Sequence, residues 1–121
     1  MRWQIDNSRP VYIQIMEHIR NAVLTEEFPP GCRIPSVRDL AGVANVNPNT
    51  MQRALTELEE DGLLISNGTL GRFVTKDDAI IGAIRQNAVR KTVRACAAQF
   101  RAIGLSMEEA AHLLLEEKEE G

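Results

Sequence analysis

The sequence lacks any long apolar run. Its apolar stretches fall far short of the roughly 18 consecutive residues of a membrane span, so no transmembrane helix is expected. No apolar core follows Arg2 and Asp6, which argues against a secretory signal peptide and for a cytoplasmic protein. Cysteine is scarce. The chain has 2, Cys32 and Cys96, far apart and without a secretion signal, and they read as reduced thiols, with a disulfide or redox switch as the alternative. No nucleophile–base pair, metal cluster or phosphate-binding loop stands out, so an enzyme is the weakest reading and neither a cofactor nor a metal is expected. His112 has Glu108 and Glu116 at i±4 spacing, but a solvated helix face explains that pattern better than a metal site.

Acidic residues are absent between Pro29 and Arg38, where Arg33 and Arg38 lie. The formal net charge of −3 points away from nucleic acid, but binding follows a local patch and not the sum. The acids of the first half gather at Glu26-Glu27 and at Glu57, Glu59, Glu60 and Asp61.

With 121 residues there is room for one compact domain and a small appendage. After an extended lead-in over 1–9, apolar residues recur at Val11, Ile15, Ile19, Ala22 and Val23, with Tyr12 and Met16 on a flank. This periodicity predicts an amphipathic helix from about Pro10 to Thr25. Phe28-Pro29-Pro30-Gly31 makes a turn, and Cys32-Arg33-Ile34 suits a very short strand. Next come two short helices, each with its own start signal. Ser36 is an N-cap with Asp39 as the acidic half of a capping box. Asn47 is a second N-cap, with Pro48 at the first helical position, where the missing N–H costs nothing. Gly62 stops the second helix. Leu63-Leu64-Ile65-Ser66 and Arg72-Phe73-Val74-Thr75 then flank Asn67-Gly68-Thr69-Leu70-Gly71 as a hairpin.

Helix, helix, helix, hairpin is the order of a winged helix-turn-helix. The predicted fold is therefore mainly α with a small β-hairpin: a winged helix-turn-helix over residues 1–76 and a helical dimerisation tail over 77–121. In the tail, Asp77-Asp78 start a long helix reaching about Ala102, with apolar positions at Ile80, Ile81, Ile84, Ala88, Val93, Ala97 and Phe100. Gly104 breaks it. Ser106-Met107-Glu108-Glu109 is another capping box, opening a last helix with Ala110, Ala111, Leu113, Leu114 and Leu115. Two such helices need a further apolar surface, most simply the same pair in a second subunit. The first carries Arg85, Arg90, Lys91, Arg94 and Arg101, the second Glu108, Glu109, Glu116, Glu117, Glu119 and Glu120. These blocks either orient the packing or form two solvated faces.

In the 48–61 helix Met51, Ala54, Leu55 and Leu58 form the buried stripe, and Asn49, Gln52, Arg53 and Thr56 the opposite one. In a recognition helix the N-terminal half enters the major groove. Gln52 or Asn49 suits adenine N6/N7, and Arg53 suits guanine O6/N7 or a phosphate. Thr50 and the first-turn N–H groups suit a phosphate. Arg38, on the outer face of the preceding helix, reaches the DNA backbone or a base; its alternative is an ion pair with Asp39 or Glu57. In the hairpin, Gly68 and Gly71 permit close approach to phosphates, while Arg72 and Lys76 supply charge.

The chain resembles the DNA-binding domain of the GntR family of bacterial transcriptional regulators. The resemblance runs through Pro10-Val11-Tyr12-Ile13-Gln14-Ile15, Pro29-Pro30-Gly31, Ile34-Pro35-Ser36-Val37-Arg38-Asp39-Leu40-Ala41 and Val46-Asn47-Pro48-Asn49-Thr50. It continues over Leu58-Glu59-Glu60-Asp61-Gly62-Leu63 to Gly71-Arg72-Phe73-Val74, about two thirds of the chain. The tail, with Gly104-Leu105-Ser106-Met107-Glu108-Glu109-Ala110, resembles the YtrA subfamily, whose members dimerise through two C-terminal helices. The resemblance implies DNA contacts at Arg38, Asn47, Asn49, Thr50, Arg53 and the wing around Gly71. With Ser36, Gln52 and Arg72 these complete the candidate set.

Three positions depart from the family pattern. Asn45 stands where the family has Gly, Ala44 replaces a larger core residue, and Thr69-Leu70-Gly71-Arg72 loses one wing glycine and gains an arginine. The chain has no length for the large ligand-binding domain of many relatives, and a small-molecule effector is left open. The expectation is a homodimeric, sequence-specific regulator of double-stranded DNA, a repressor on an inverted-repeat operator. A winged-helix protein-interaction module without DNA binding is the alternative.

Overall fold

A computed structural model describes residues 3–117. Their order is α1 (Val11–Leu24), α2 (Val37–Ala44), α3 (Pro48–Glu60), β1 (Leu64–Ser66), β2 (Arg72–Val74), α4 (Asp78–Ala102) and α5 (Met107–Glu116). Contacts divide the chain after Ile84 into two compact units.

In the first unit, α1 buries Ile15, Ile19, Ala22 and Val23 along its expected stripe. The buried face is wider than the periodicity suggests: Met16 is enclosed, while Val11 at the head is only partly covered. Gln14 is buried too, 2% exposed, which no apolar pattern announces. Its side chain closes on the lead-in. Oε1 accepts from the Asp6 N–H at 3.0 Å, and Nε2 donates to the carbonyls of Asp6 at 2.8 Å and Arg9 at 2.9 Å. A buried amide is tolerable because its donors and acceptor are engaged. The lead-in is held further by Trp3, stacked on His18 with ring centroids 5.5 Å apart.

The two short helices begin as their caps dictate. The Ser36 Oγ accepts from the Asp39 N–H at 3.1 Å, and the Asn47 Oδ1 from the Asn49 N–H at 2.8 Å. Each satisfies one of the four N–H groups that a helix start leaves unpaired. α2 ends at Asn45, which adopts the left-handed conformation at φ 55°, ψ 51°. The N–H of Val46 reaches the carbonyl of Ala41 and that of Asn45 reaches Gly42, the paired bonds of a Schellman stop. Asn tolerates this backbone better than most non-glycine residues, so the turn survives the departure from Gly. α3 stops in the same way, with Gly62 at φ 84° and the Leu63 N–H on the carbonyl of Leu58.

β1 and β2 pair antiparallel, Leu64 opposite Val74 and Ser66 opposite Arg72. The expected short strand at Cys32–Ile34 is a single bridge, Arg33 to Phe73, flanked by backbone bonds between Cys32 and Val74 and between Ile34 and Arg72. It adds a third edge that ties the start of α2 to the wing. The tip turns through one 3-10 turn, Gly68–Leu70. The core beneath is continuous: Ile15, Ile19, Leu40, Met51, Leu55, Leu58, Leu63, Leu64 and Val74 are enclosed. Each side chain of this size stabilises by about 1.5–3 kcal/mol when buried, so α1, α2 and α3 form a firm platform. Ala44 lies within this core at 6% exposure. Ile81 and Ile84, in the first turns of α4, pack against its edge.

The second unit holds the rest of α4 and all of α5. Ser106 caps α5, accepting from the Glu109 N–H at 3.1 Å and donating to its carboxylate. Apolar enclosure is meagre here. No described residue of α4 is buried, α5 buries only Ala110, and Val89, Val93, Ile103, Leu113, Leu114 and Leu115 are exposed. No described helix is long and apolar enough to cross a membrane.

Candidate nucleic-acid interface

The burial of Met51, Ala54, Leu55 and Leu58 fixes how α3 is rotated. It leaves Asn49, Gln52, Arg53 and Thr56 exposed on the opposite face, with Asn47 exposed at its start and Thr50 half-buried. The structure thus brings the sequence-derived candidates of this helix onto one surface. Their hydrogen-bonding state is specific. The cap uses the Asn47 side-chain oxygen and leaves the amide N–H groups as donors, the polarity that suits a phosphate oxygen. Gln52 Nε2 donates to Thr56 Oγ1 at 3.3 Å, which steadies the amide along the helix.

Arg53 is held from two sides. Its guanidinium carbon lies 3.7 Å from the centroid of the Tyr12 ring, and its Nε lies 3.7 Å from Glu57 Oε1. Glu57 therefore serves Arg53. Arg38 is exposed at the start of α2 and forms no ion pair among the described residues, with Asp39 or with Glu57. Ser36, beside it, keeps its hydroxyl proton free to donate while its oxygen caps the helix.

The acids of α3 and its C-cap lie at the C-terminal end of that helix, and most are paired. Glu57 meets Arg53, Glu59 meets Arg72, and Asp61 meets Arg20 at 3.1 Å. The N-terminal half, from Pro48 to Thr56, carries no acid at all. Helix N-terminal N–H groups favour negative charge at that end.

The wing differs from the sequence reading in which arginine it presents. Arg72 is ion-paired with Glu59 and only 19% of its side chain is exposed, so the charge expected of it is neutralised within the fold. Gly71 has φ 108°, ψ −158°, a region only glycine occupies readily. A Cβ there would stand 3.1 Å from Arg33 Nε. The exposed Arg33 side chain therefore lies against the wing at Gly71 and makes no ion pair among the described residues. Lys76 likewise runs across Gly31. In the sequence Arg33 is only part of an acid-free stretch, because its nearness to Gly71 comes from the bridge to Phe73. The apolar period places Tyr12 on a helix flank, and no local signal announces its contact with Arg53.

Away from this surface, His112 Nε2 lies 3.0 Å from Glu116 Oε1 on an open face of α5. No group of three potential metal ligands assembles among the described residues. Cys32 and Cys96 are unbridged, and burial raises the Cys32 thiol above its ordinary pKa.

Known proteins resemble this arrangement closely. Residues 11–74 match the family described as bacterial regulatory proteins, gntR family. The HTH-type transcriptional regulator YhcF of Bacillus subtilis is 32% identical over 106 residues, 88% of each chain. The HTH-type transcriptional repressor YtrA of the same organism is 36% identical over 76 residues, 61% of this chain and 58% of that one. A solved GntR family regulator from Listeria monocytogenes superposes with a TM-score of 0.84 at 27% identity, covering 94% of this chain and all of that one. The matched stretch runs from the head of α1 to the last residue of β2, and the chain belongs to the gntR family of bacterial regulatory proteins, with YtrA among its relatives.

Proposed function

We propose that this protein is a sequence-specific regulator that binds double-stranded DNA as a homodimer in the cytoplasm, and that it represses by occupying promoter DNA. One observation carries the reading. The capped N-terminal half of α3, which itself carries no acid, presents Asn49, Gln52 and Arg53 to solvent, with Asn47 exposed at its start and Thr50 half-buried. That is the composition and the helix end that enter a major groove in helix-turn-helix proteins. The wing contributes Arg33, with Gly71 allowing close approach. Arg72 acts indirectly by holding the wing to α3 through Glu59.

Dimerisation is supported by the exposed apolar residues of the second unit, Val89, Val93, Ile103, Leu113, Leu114 and Leu115. A helix pair this poorly enclosed gains stability by covering them with a second copy. A two-fold dimer reads an inverted repeat, its half-sites separated by whole helical turns. The relative named a repressor supports the direction of regulation. No catalytic step is assigned to any residue.

Duplexes selected by the protein from a random double-stranded library test the proposal. The selected sites are expected to be inverted repeats, with affinity falling steeply as salt rises. Arg53→Ala and Arg38→Ala are each expected to weaken binding with the fold intact. Unchanged affinity in both variants, or failure to retain any duplex at low salt, would sink the reading and leave a protein-interaction module.

A further inference from the structure

We propose that Tyr12 is a positioning residue for DNA recognition, its ring holding the Arg53 guanidinium in place for contact with a base edge or phosphate. The inference rests on the DNA-binding reading above. It goes beyond it by assigning a role to a residue of α1, outside the helix-turn-helix.

The guanidinium carbon of Arg53 sits over the Tyr12 ring, 3.7 Å from its centroid. That is stacking distance, and a guanidinium stacked on a ring engages it through its face, while its N–H donors lie in the plane and radiate from the edge. Glu57 engages only the Nε side, at 3.7 Å, beyond hydrogen-bonding distance and on an exposed face. The two terminal nitrogens have no partner among the described residues and remain available as a fork for guanine O6/N7 or a phosphate.

The ring itself is fixed by packing. Tyr12 lies one residue inside α1, and α1 is held by Ile15, Ile19 and Val23 in the same core as Met51, Leu55 and Leu58 of α3. An arginine 60% exposed on a helix would otherwise sample many rotamers, and docking on DNA would have to freeze them. Stacking removes part of that cost before binding, without using a donor that the DNA needs. The Tyr12 hydroxyl is not required, which separates this role from a direct tyrosine–phosphate contact.

The test uses the full chain and a duplex selected by the wild-type protein from the random library. Dissociation constants at one salt concentration are measured for Tyr12→Phe, Tyr12→Leu, Arg53→Ala and the double variant Tyr12→Leu/Arg53→Ala, with thermal melting of each. Tyr12→Phe is expected to bind like wild type, and Tyr12→Leu about threefold to tenfold more weakly. In the Arg53→Ala background the Tyr12→Leu change is expected to add nothing, since the two act as one unit.

Equal losses from Tyr12→Leu in both backgrounds overturn the proposal, and they are also what partial unfolding would give. Loss in Tyr12→Phe as large as in Tyr12→Leu overturns it in favour of a hydroxyl contact. Wild-type affinity in Arg53→Ala overturns it while leaving DNA binding standing. If the wild-type protein selects no duplex, the regulator reading itself fails, and this role fails with it.

Discussion

Replacing Gly71 by Ala separates the two jobs that meet at the wing. At φ 108°, ψ −158° an alanine is forced into backbone space essentially reserved for glycine, a strain of about 1–3 kcal/mol per residue. The new methyl would also stand 3.1 Å from Arg33 Nε. That contact is cheap to relieve, because Arg33 is long and exposed, so backbone strain dominates. A loss near 2 kcal/mol in a unit of this size lowers the melting temperature by about 8–16 °C. Relieving the contact shifts the Arg33 side chain by only a few tenths of an ångström, so the effect of Gly71→Ala on DNA affinity is expected to be small beside its effect on stability.

Arg33→Ala is the control. It is expected to leave the melting temperature within about 4 °C of wild type, because an exposed cation without an ion pair among the described residues contributes little to stability. It should still weaken binding and reduce the salt slope by about 1. Thermal denaturation followed by circular dichroism, with affinities at several salt concentrations, reads both effects. A Gly71→Ala protein that melts with wild type would refute the strain argument. An Arg33→Ala protein with unchanged affinity and salt slope would remove Arg33 from the interface.

Asn45→Ala is expected to lower stability by about 1 kcal/mol, because a left-handed backbone disfavours a residue with no local hydrogen-bonding group; urea midpoints measure it, and Asn45→Gly should not be destabilised. Gln14→Leu removes three hydrogen bonds to the lead-in and should cost roughly 2–3 kcal/mol. Fluorescence of Trp3, the only tryptophan, should shift to the red as its stack on His18 loosens. Cys32, raised above its ordinary pKa by burial, should alkylate slowly at neutral pH and faster as pH rises. Because its folded value lies above the unfolded one, its contribution to stability is complete below about pH 8.5 and is lost as pH climbs through the folded value.

What the sequence determined by itself was everything encoded within a turn or two of helix. Ser36, Asn47, Pro48, Gly62 and Ser106 mark the helix ends because a cap is a bond between near neighbours. The apolar period of α3 sets its buried face, and so also sets which polar residues are left outside. The tertiary structure decided every pairing between distant residues. Arg72 and Glu59 meet because the wing folds back on α3, Arg33 reaches Gly71 through a bridge to β2, and Arg53 lies on Tyr12 because α1 and α3 share a core. Gln14 reads as an ordinary polar residue until the lead-in crosses it. A side chain's local pattern states which way it faces, whereas its partner depends on where the rest of the chain has packed. The exposed polar face of α3 was therefore legible in the sequence, while the residues that pack against and around it were not.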